Sequence, residues 1–258
     1  MACRDLEDAR TAVAARYTVA DLEELSPEEA RRFVREGADP QADAALAWEL
    51  LYRREPELYE RLISGERLHP AVLAWLPDGI DRIVEVGAGT GRLTLELLHH
   101  AGEVVAIEPA GPLREILHRR LARADPGRRV RVSDGFFDDL PLPSDWADLV
   151  VACSAFTPQE GHGGEAGLAE MERVCRPGGR VVIVWPNDVR WLAAHGYRHV
   201  CFDGEMSVEF ASPEEAAELI EIFYPHASEQ SRRRRSRTIS FDALGTNAPR
   251  DLAYKVIA

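Results

Sequence analysis

Two hydrophobic periods divide the chain. Up to about residue 80 the apolar positions recur at helical spacing, and no run alternates as a half-buried strand would. Ser26-Pro27-Glu28-Glu29 is a capping box with proline at the first helical position, and Gly37 supplies the stop. Asp39-Pro40 opens a second helix with Leu46, Leu50 and Leu51, flanked by Trp48 and Tyr52. Pro56 to Ile63 reads as a third, and Pro70 to Leu76 as a short fourth. From Asp81 the pattern changes. β-Branched runs at about 82–86, 103–108, 129–134, 147–153 and 180–185 predict strands. Between them lie helical patterns: about 89–100, a helix from Pro112 carrying Leu113, Ile116, Leu117 and Leu121, and one carrying Leu168, Met171, Val174 and Cys175. Alternation of this kind predicts an α/β fold, a doubly wound Rossmann-like sheet with helices on both faces.

Beyond Pro186 the pattern is looser. Asn187 to His195 predicts a short helix stopped at Gly196, and Tyr197 to Phe210 alternates around the hairpin signal Asp203-Gly204. Ser212-Pro213-Glu214-Glu215 is a second capping box, opening a helix with Leu219, Ile220, Ile222 and Phe223. Thr238 to Phe241 and Leu252 to Ile257 are the last strands expected. The expected organisation is a helical appendage over 1–80 and a sheet domain over 81–258, with 187–235 an insertion or substrate-side element. The appendage reads either as a packing layer or as a lid over a ligand cleft.

Composition narrows the partners. A formal net charge of −13 over 258 residues argues against broad nucleic-acid binding, which needs clustered positive charge. Arginine greatly outnumbers lysine, Lys255 being the only one. Cys3, Cys153, Cys175 and Cys201 stand far apart without a Cys-x-x-Cys pair, which disfavours a zinc site or disulfide framework and suits a reducing cytoplasm. No apolar run approaches the ~20 residues of a membrane helix. Arg4, Asp5, Glu7 and Asp8 interrupt any signal-peptide core. The expectation is a cytoplasmic protein with no membrane or nucleic-acid partner and no bound metal.

The chemistry gathers at Val84 to Thr94, V-E-V-G-A-G-T-G-R-L-T. A strand runs into Gly87, Ala88, Gly89 and Gly91 and then into a helical pattern, the layout that offers backbone amides to a cofactor at a strand–helix turn. Arg92 stands where a dinucleotide fingerprint continues toward its third glycine, and no Gly-Lys-Ser/Thr follows as a phosphate loop requires. Three acids accompany the loop. Glu108, followed by Pro109, closes strand two about 20 residues on, where a carboxylate accepts ribose hydroxyls. Asp134, with Gly135 and Phe136, closes strand three, where an acid and an apolar ring suit an adenine. Glu85 lies inside the otherwise apolar first strand, where a charge is costly without a cationic or amide partner.

In this combination the chain resembles the class I S-adenosylmethionine-dependent methyltransferases, and within them the small-molecule branch typified by ubiquinone and menaquinone biosynthesis C-methyltransferases. The motifs that carry the resemblance are V-E-V-G-A-G-T-G, A-I-E-P at 106–109, D-G-F-F-D-D-L-P-L-P-S-D-W-A-D-L-V-V at 134–151 and R-V-C-R-P-G-G-R-V-V-I at 173–183. It covers about 80–186. It implies a seven-stranded sheet whose last strand is inserted antiparallel, and S-adenosylmethionine as cofactor. It also implies that Glu85 and the Gly87–Gly91 loop meet the methionine portion, Glu108 the ribose, and Asp134, Gly135 and Phe136 the adenine. Cys153 and Ser154 would line the cleft beside the sulfonium.

The expected activity is methyl transfer to a small-molecule acceptor by in-line displacement. The alternative is a non-catalytic S-adenosylmethionine-binding protein of the same fold. His162, in Gly161-His162-Gly163-Gly164, is the one candidate base, needed only if the acceptor must lose a proton. Ala155-Phe156-Thr157-Pro158 departs from the histidine-aromatic pair common after strand four in that branch. Arg232 to Arg235 with Arg237 reads either as an anion contact or as a solvated run. Tyr52, Tyr59 and His69 are pocket or packing residues of the helical region.

Overall fold

The computed structural model describes residues 13–125, 128–159 and 162–258. The N-terminal acids, Cys3 and Gly161 lie outside the described residues. The strands are β1 (Ile80–Val86), β2 (Ala101–Ile107), β3 (Val130–Ser133), β4 (Ala147–Cys153), β5 (Cys175–Val184), β6 (Arg198–Cys201), β7 (Ser207–Glu209), β8 (Thr238–Ser240) and β9 (Asp251–Val256). Two compact units share them, one made of 68–204 with 249–258, the other of the preceding helices with 205–248.

The first unit is a seven-stranded sheet in the order β3-β2-β1-β4-β5-β9-β6. The five strands of the motif region run parallel. β9 enters antiparallel between β5 and β6, as the resemblance implied. Sheets covered on both faces read as continuous apolar runs, and the carboxyl halves of β1, β2, β4 and β5 do so, Glu85 apart. On one face Val84, Val105, Val150, Val181 and Ile183 pack with Phe156, Leu168 and Met171. On the other, Ile83, Val104, Leu149, Val151 and Val182 pack with Val72, Leu93 and Leu97.

Two expectations are corrected here. The helix expected over 89–100 is a single helical turn, Thr94–Leu97, because 90–93 are spent in the turn that leaves the glycine loop. Asp203-Gly204 is not a hairpin turn. β6 before it joins the large sheet, whereas β7 after it pairs with β8. Gly204 takes φ +142, and it marks the boundary of the two units.

The second unit is mostly helical. It contains Pro27–Phe33, Ala44–Arg54, Pro56–Ser64, Pro213–Phe223 and Ser228–Arg234, with β7 and β8 as a small antiparallel ribbon. Of the two capping boxes expected, the first forms in full, while at the second Ser212 caps the helix but Glu215 reaches back to Ala211 N instead of the N-cap amide. Ser26 Oγ accepts from Glu29 N while Glu29 accepts from Ser26 N, and Ser212 Oγ accepts from Glu215 N at 3.1 Å. Leu46, Leu50, Leu51, Leu219, Ile220, Phe223 and Phe241 supply its core. Arg61 ties the two segments of this unit, donating to Glu215 and Glu218. The Arg232–Arg235 run ends a helix, where Arg232 pairs with Glu221 and Arg233 with Glu229. Trp48 and Tyr59 pack edge to face with centroids 6.3 Å apart, and Tyr52 and Tyr59 at 4.9 Å.

Candidate active site

The site grows from the carboxyl ends of β1, β2 and β4, where an open parallel sheet receives ligands. Ile107 O accepts from both Gly87 N, at 2.9 Å, and Ala88 N, at 3.0 Å, so the loop is pinned over β2 as it leaves β1. A Cβ on Gly87 would lie 2.7 Å from the Ala155 Cβ, and φ there is +73°. The chain must pass Ala155 at that distance, and only glycine allows it. Gly89 and Gly91 also take positive φ, and Ala88 is buried.

Glu108 closes β2 as expected and has a task the sequence did not announce. Its Oε2 accepts from Gly89 N and its Oε1 from Ala110 N, both at 2.8 Å. One buried carboxylate thereby fixes the second glycine of the loop and the start of the next helix. Next to it, Arg114 donates to the carbonyls of Glu108 and Pro109 and forks onto Asp134 at 3.0 and 3.1 Å. Asp134 is therefore paired with a guanidinium, on an exposed rim beyond β3. Gly135 stands where a Cβ would meet Ile107 and Pro141 at 2.8 and 2.9 Å, and Phe136 is half-buried beside it.

Glu85 lies in the centre of the sheet, opposite Ala106 of β2 and Val151 of β4. It is 1% exposed. Thr94 Oγ1 donates to its Oε2 at 2.5 Å, and its other oxygen has no described donor. Burial pushes its carboxyl up to about 8, and the neighbouring Glu108 adds to that, against the opposing pull of Thr94 and Arg92. A buried acid so raised, with one oxygen unpartnered, suits a cationic ligand group.

Past β4 and β5 the backbone is unusual. Ser154 and Trp185 both take the left-handed region, at φ +58° and +51°. Non-glycine residues held there mark strained sites more often than plain connections. Arg92 reaches this point: its guanidinium lies 5.3 Å from the Trp185 ring and 3.6 Å from Cys153 Sγ. Cys153 is buried at the end of β4. The loop after β4 carries Phe156, which meets Phe137 edge to face and Trp191 face to face, with centroids 5.0 and 6.1 Å apart. His162 closes that loop through its main chain, its carbonyl accepting from Thr157 N at 2.8 Å.

The structure thus gathers Glu85, the glycine loop, Glu108 and Cys153 at adjoining strand ends, with Asp134 and Phe136 at the end of β3. Sequence reasoning missed Thr94, Arg114 and Trp185. Thr94 follows Glu85 by nine residues across a turn, and Arg114 follows Glu108 by six across a helix start, so neither pair has a simple periodic signature. The sequence marks Arg92 only as a departure from a dinucleotide loop. Among the described residues no cluster of metal-ligating side chains occurs, and no helix is long and apolar enough to cross a membrane.

Comparison with known proteins agrees with this geometry. Residues 83–179 match the family model of a methyltransferase domain. An uncharacterized methyltransferase of Geobacillus kaustophilus is 30% identical over 141 residues, 51% of this chain and 63% of that protein. One of Mycobacterium tuberculosis is 32% identical over 117 residues, 45% of this chain and 44% of that one. The match thus spans about half the length of these curated relatives. A Haloferax volcanii structure, a complex of the Trm112 methyltransferase activator with a protein assigned as a methyltransferase, shares the fold. There the TM-score is 0.52 at 17% identity, over 80% of this chain and 95% of the matched one. The motif region, residues 83–179, is thus a methyltransferase domain on a sheet of the methyltransferase fold, and the cofactor it indicates is S-adenosylmethionine.

Proposed function

We propose that the protein moves a methyl group from S-adenosylmethionine to a small-molecule acceptor by in-line displacement. The observation that carries the reading is Glu85, a fully buried carboxyl with one unpartnered oxygen beneath a glycine loop. When bound, the cofactor supplies a methyl group already activated on a sulfonium. Glu85 and the amides of the Gly87–Gly91 loop hold the methionine end, and Glu108, its carboxylate set by two backbone amides, accepts the ribose hydroxyls. Asp134, Gly135 and Phe136 line the base, with Arg114 fixing the direction of the Asp134 carboxylate. Cys153 and Ser154 border the reacting end. The remaining task is orientation, which is worth several kcal/mol through effective concentration. His162 is the proposed base for an acceptor that must lose a proton. A small acceptor accords with the net charge of −13, which disfavours a phosphate backbone.

Calorimetry with S-adenosylmethionine and its demethylated product tests the reading. Glu108→Ala removes the ribose acceptor and leaves the Gly89 and Ala110 amides unpaired, so affinity falls at least tenfold, consistent with ~1.5–3 kcal/mol for a hydrogen bond to a charged group. Wild-type protein that binds neither compound removes the proposal. Unchanged affinity in Glu108→Ala removes the ribose assignment alone.

A further inference from the structure

A cleft lies in the sheet unit, away from the carboxyl ends. It has a volume of about 590 Å³ and is lined by Trp75, Arg180, Gly196, Arg198, Tyr254, Lys255 and Val256. Arg180 precedes the end of β5 by four residues, which at strand rise is ~13 Å toward the amino ends. The cleft is thus separate from the cofactor loop. Its size falls within the ~300–1,000 Å³ of small-molecule sites.

The chemistry of its walls is specific. Register places Arg180 opposite Val256, and Arg198 opposite Tyr254, so the two arginines flank β9 diagonally on one face of the sheet. The Trp75 and Tyr254 rings meet at 4.8 Å and 55°, forming an apolar corner. The Arg180 guanidinium lies 5.5 Å from the Trp75 ring. Neither Arg180 nor Arg198 forms an ion pair with any described residue. Their neighbours behave otherwise: Arg176 pairs with Asp148, and the Lys255 ammonium is taken by Glu172 at 2.8 Å. In a chain carrying 44 acids against 31 bases, two guanidiniums on the walls of one cleft without a carboxylate are conspicuous. Val256, one of the large apolar residues left exposed, stands at the same edge.

We propose that this cleft is a second binding site, for a flat aromatic molecule bearing a phosphate or carboxylate. Arg180 and Arg198 receive the anion, by the forked geometry that guanidinium offers to planar oxyanions. The ring lies against Trp75, Tyr254 and Val256, and Arg180, already stacked on Trp75, bridges the two parts. Neither half alone suffices: the apolar corner lacks a charge, and a solvated arginine pair holds free phosphate weakly.

The test uses full-length protein and 1-naphthyl phosphate as probe, with inorganic phosphate and 2-naphthol as the two half-ligands. Calorimetry is expected to show the probe binding at least tenfold tighter than either half. The double variant Arg180→Gln/Arg198→Gln, both at solvent-reached positions, loses that binding at least tenfold. Val256→Trp, which fills the exposed edge of the cleft, also abolishes it. Saturation with the demethylated product of S-adenosylmethionine leaves the probe affinity unchanged, so failure of the methyl-transfer reading and failure of this one are separable. The proposal is overturned by any of four results: no probe binding at millimolar concentration, equal binding in the double variant, inorganic phosphate binding as tightly as the probe, or displacement of the probe by that cofactor product.

Discussion

In the helical unit, Arg53 lies between two acids, donating to Glu29 at 2.6 Å and to Glu49 at 2.6 Å, with only 5% of its side chain exposed. In the sheet unit, Glu85 is just as enclosed and has only the Thr94 hydroxyl. Burial works to raise both carboxyls. At Glu29 the hydrogen bonds from Arg53 and Ser26 outweigh it and hold the group below its usual value, while at Glu85 burial prevails and the group rises to about 8. One unit completes its acids internally and is thereby stapled; the other leaves one incomplete where a cationic ligand group can complete it. Buried acid by itself says little. What separates scaffold from site is whether the chain provides the counter-charge.

The largest expected effect comes from breaking the completed set. Arg53→Ala removes the guanidinium shared by the buried Glu49 and the half-buried Glu29 and is expected to lower stability by ~3 kcal/mol, read by urea unfolding at pH 7. A loss under ~1 kcal/mol would mean that Glu29 and Glu49 find water instead, and the contrast with Glu85 would vanish. The glycine turns give a second, smaller contrast. Gly91, at φ +96°, would place a Cβ 2.5 Å from the buried Leu117, whereas Gly37, at φ +75°, has nothing within 4 Å. Gly91→Ala is expected to cost ~2–3 kcal/mol, the left-handed penalty plus displacement of a core side chain, and Gly37→Ala only ~1 kcal/mol from the backbone alone. Equal losses in the two variants would show that crowding at the loop contributes nothing.

The sheet was legible because its strands are buried on both faces and its connections carry glycine and proline punctuation. β4 was expected at 147–153 and spans Ala147–Cys153. The glycine loop and its acids were readable for the same reason: strand ends are fixed by local pattern. The division of the chain was not. Arg61 reaches Glu215 and Glu218 across more than 150 residues, and no local periodicity records such a pairing. The hairpin signal at Asp203-Gly204 misled because glycine's positive φ serves a change of unit as readily as a two-residue turn. Similarly, Arg114 joins Glu108 to Asp134 through backbone carbonyls and a fork, contacts set by helix placement rather than by spacing.

Glu85→Gln gives a stability effect that depends on pH, and the sharpest one on the comparison. The folded carboxyl is raised from 4.5 to about 8, so the folded chain keeps a proton that the unfolded chain releases. Stability contributed at this position is therefore fully present below about pH 4.5, falls as pH rises toward 8, and is level above that. Glutamine is neutral throughout and escapes the decline. The variant is expected to match wild type in urea at pH 5 and to exceed it by ~1–2 kcal/mol at pH 8. Cofactor binding should run the other way. A cationic group beside Glu85 favours the ionised form, so wild type releases a proton on binding S-adenosylmethionine at pH 7, visible as a buffer-dependent heat. The glutamine variant binds more weakly and loses the portion of that heat due to Glu85. If both proteins show the same buffer dependence, the methionine end does not rest on Glu85, and its burial is a structural cost like any other.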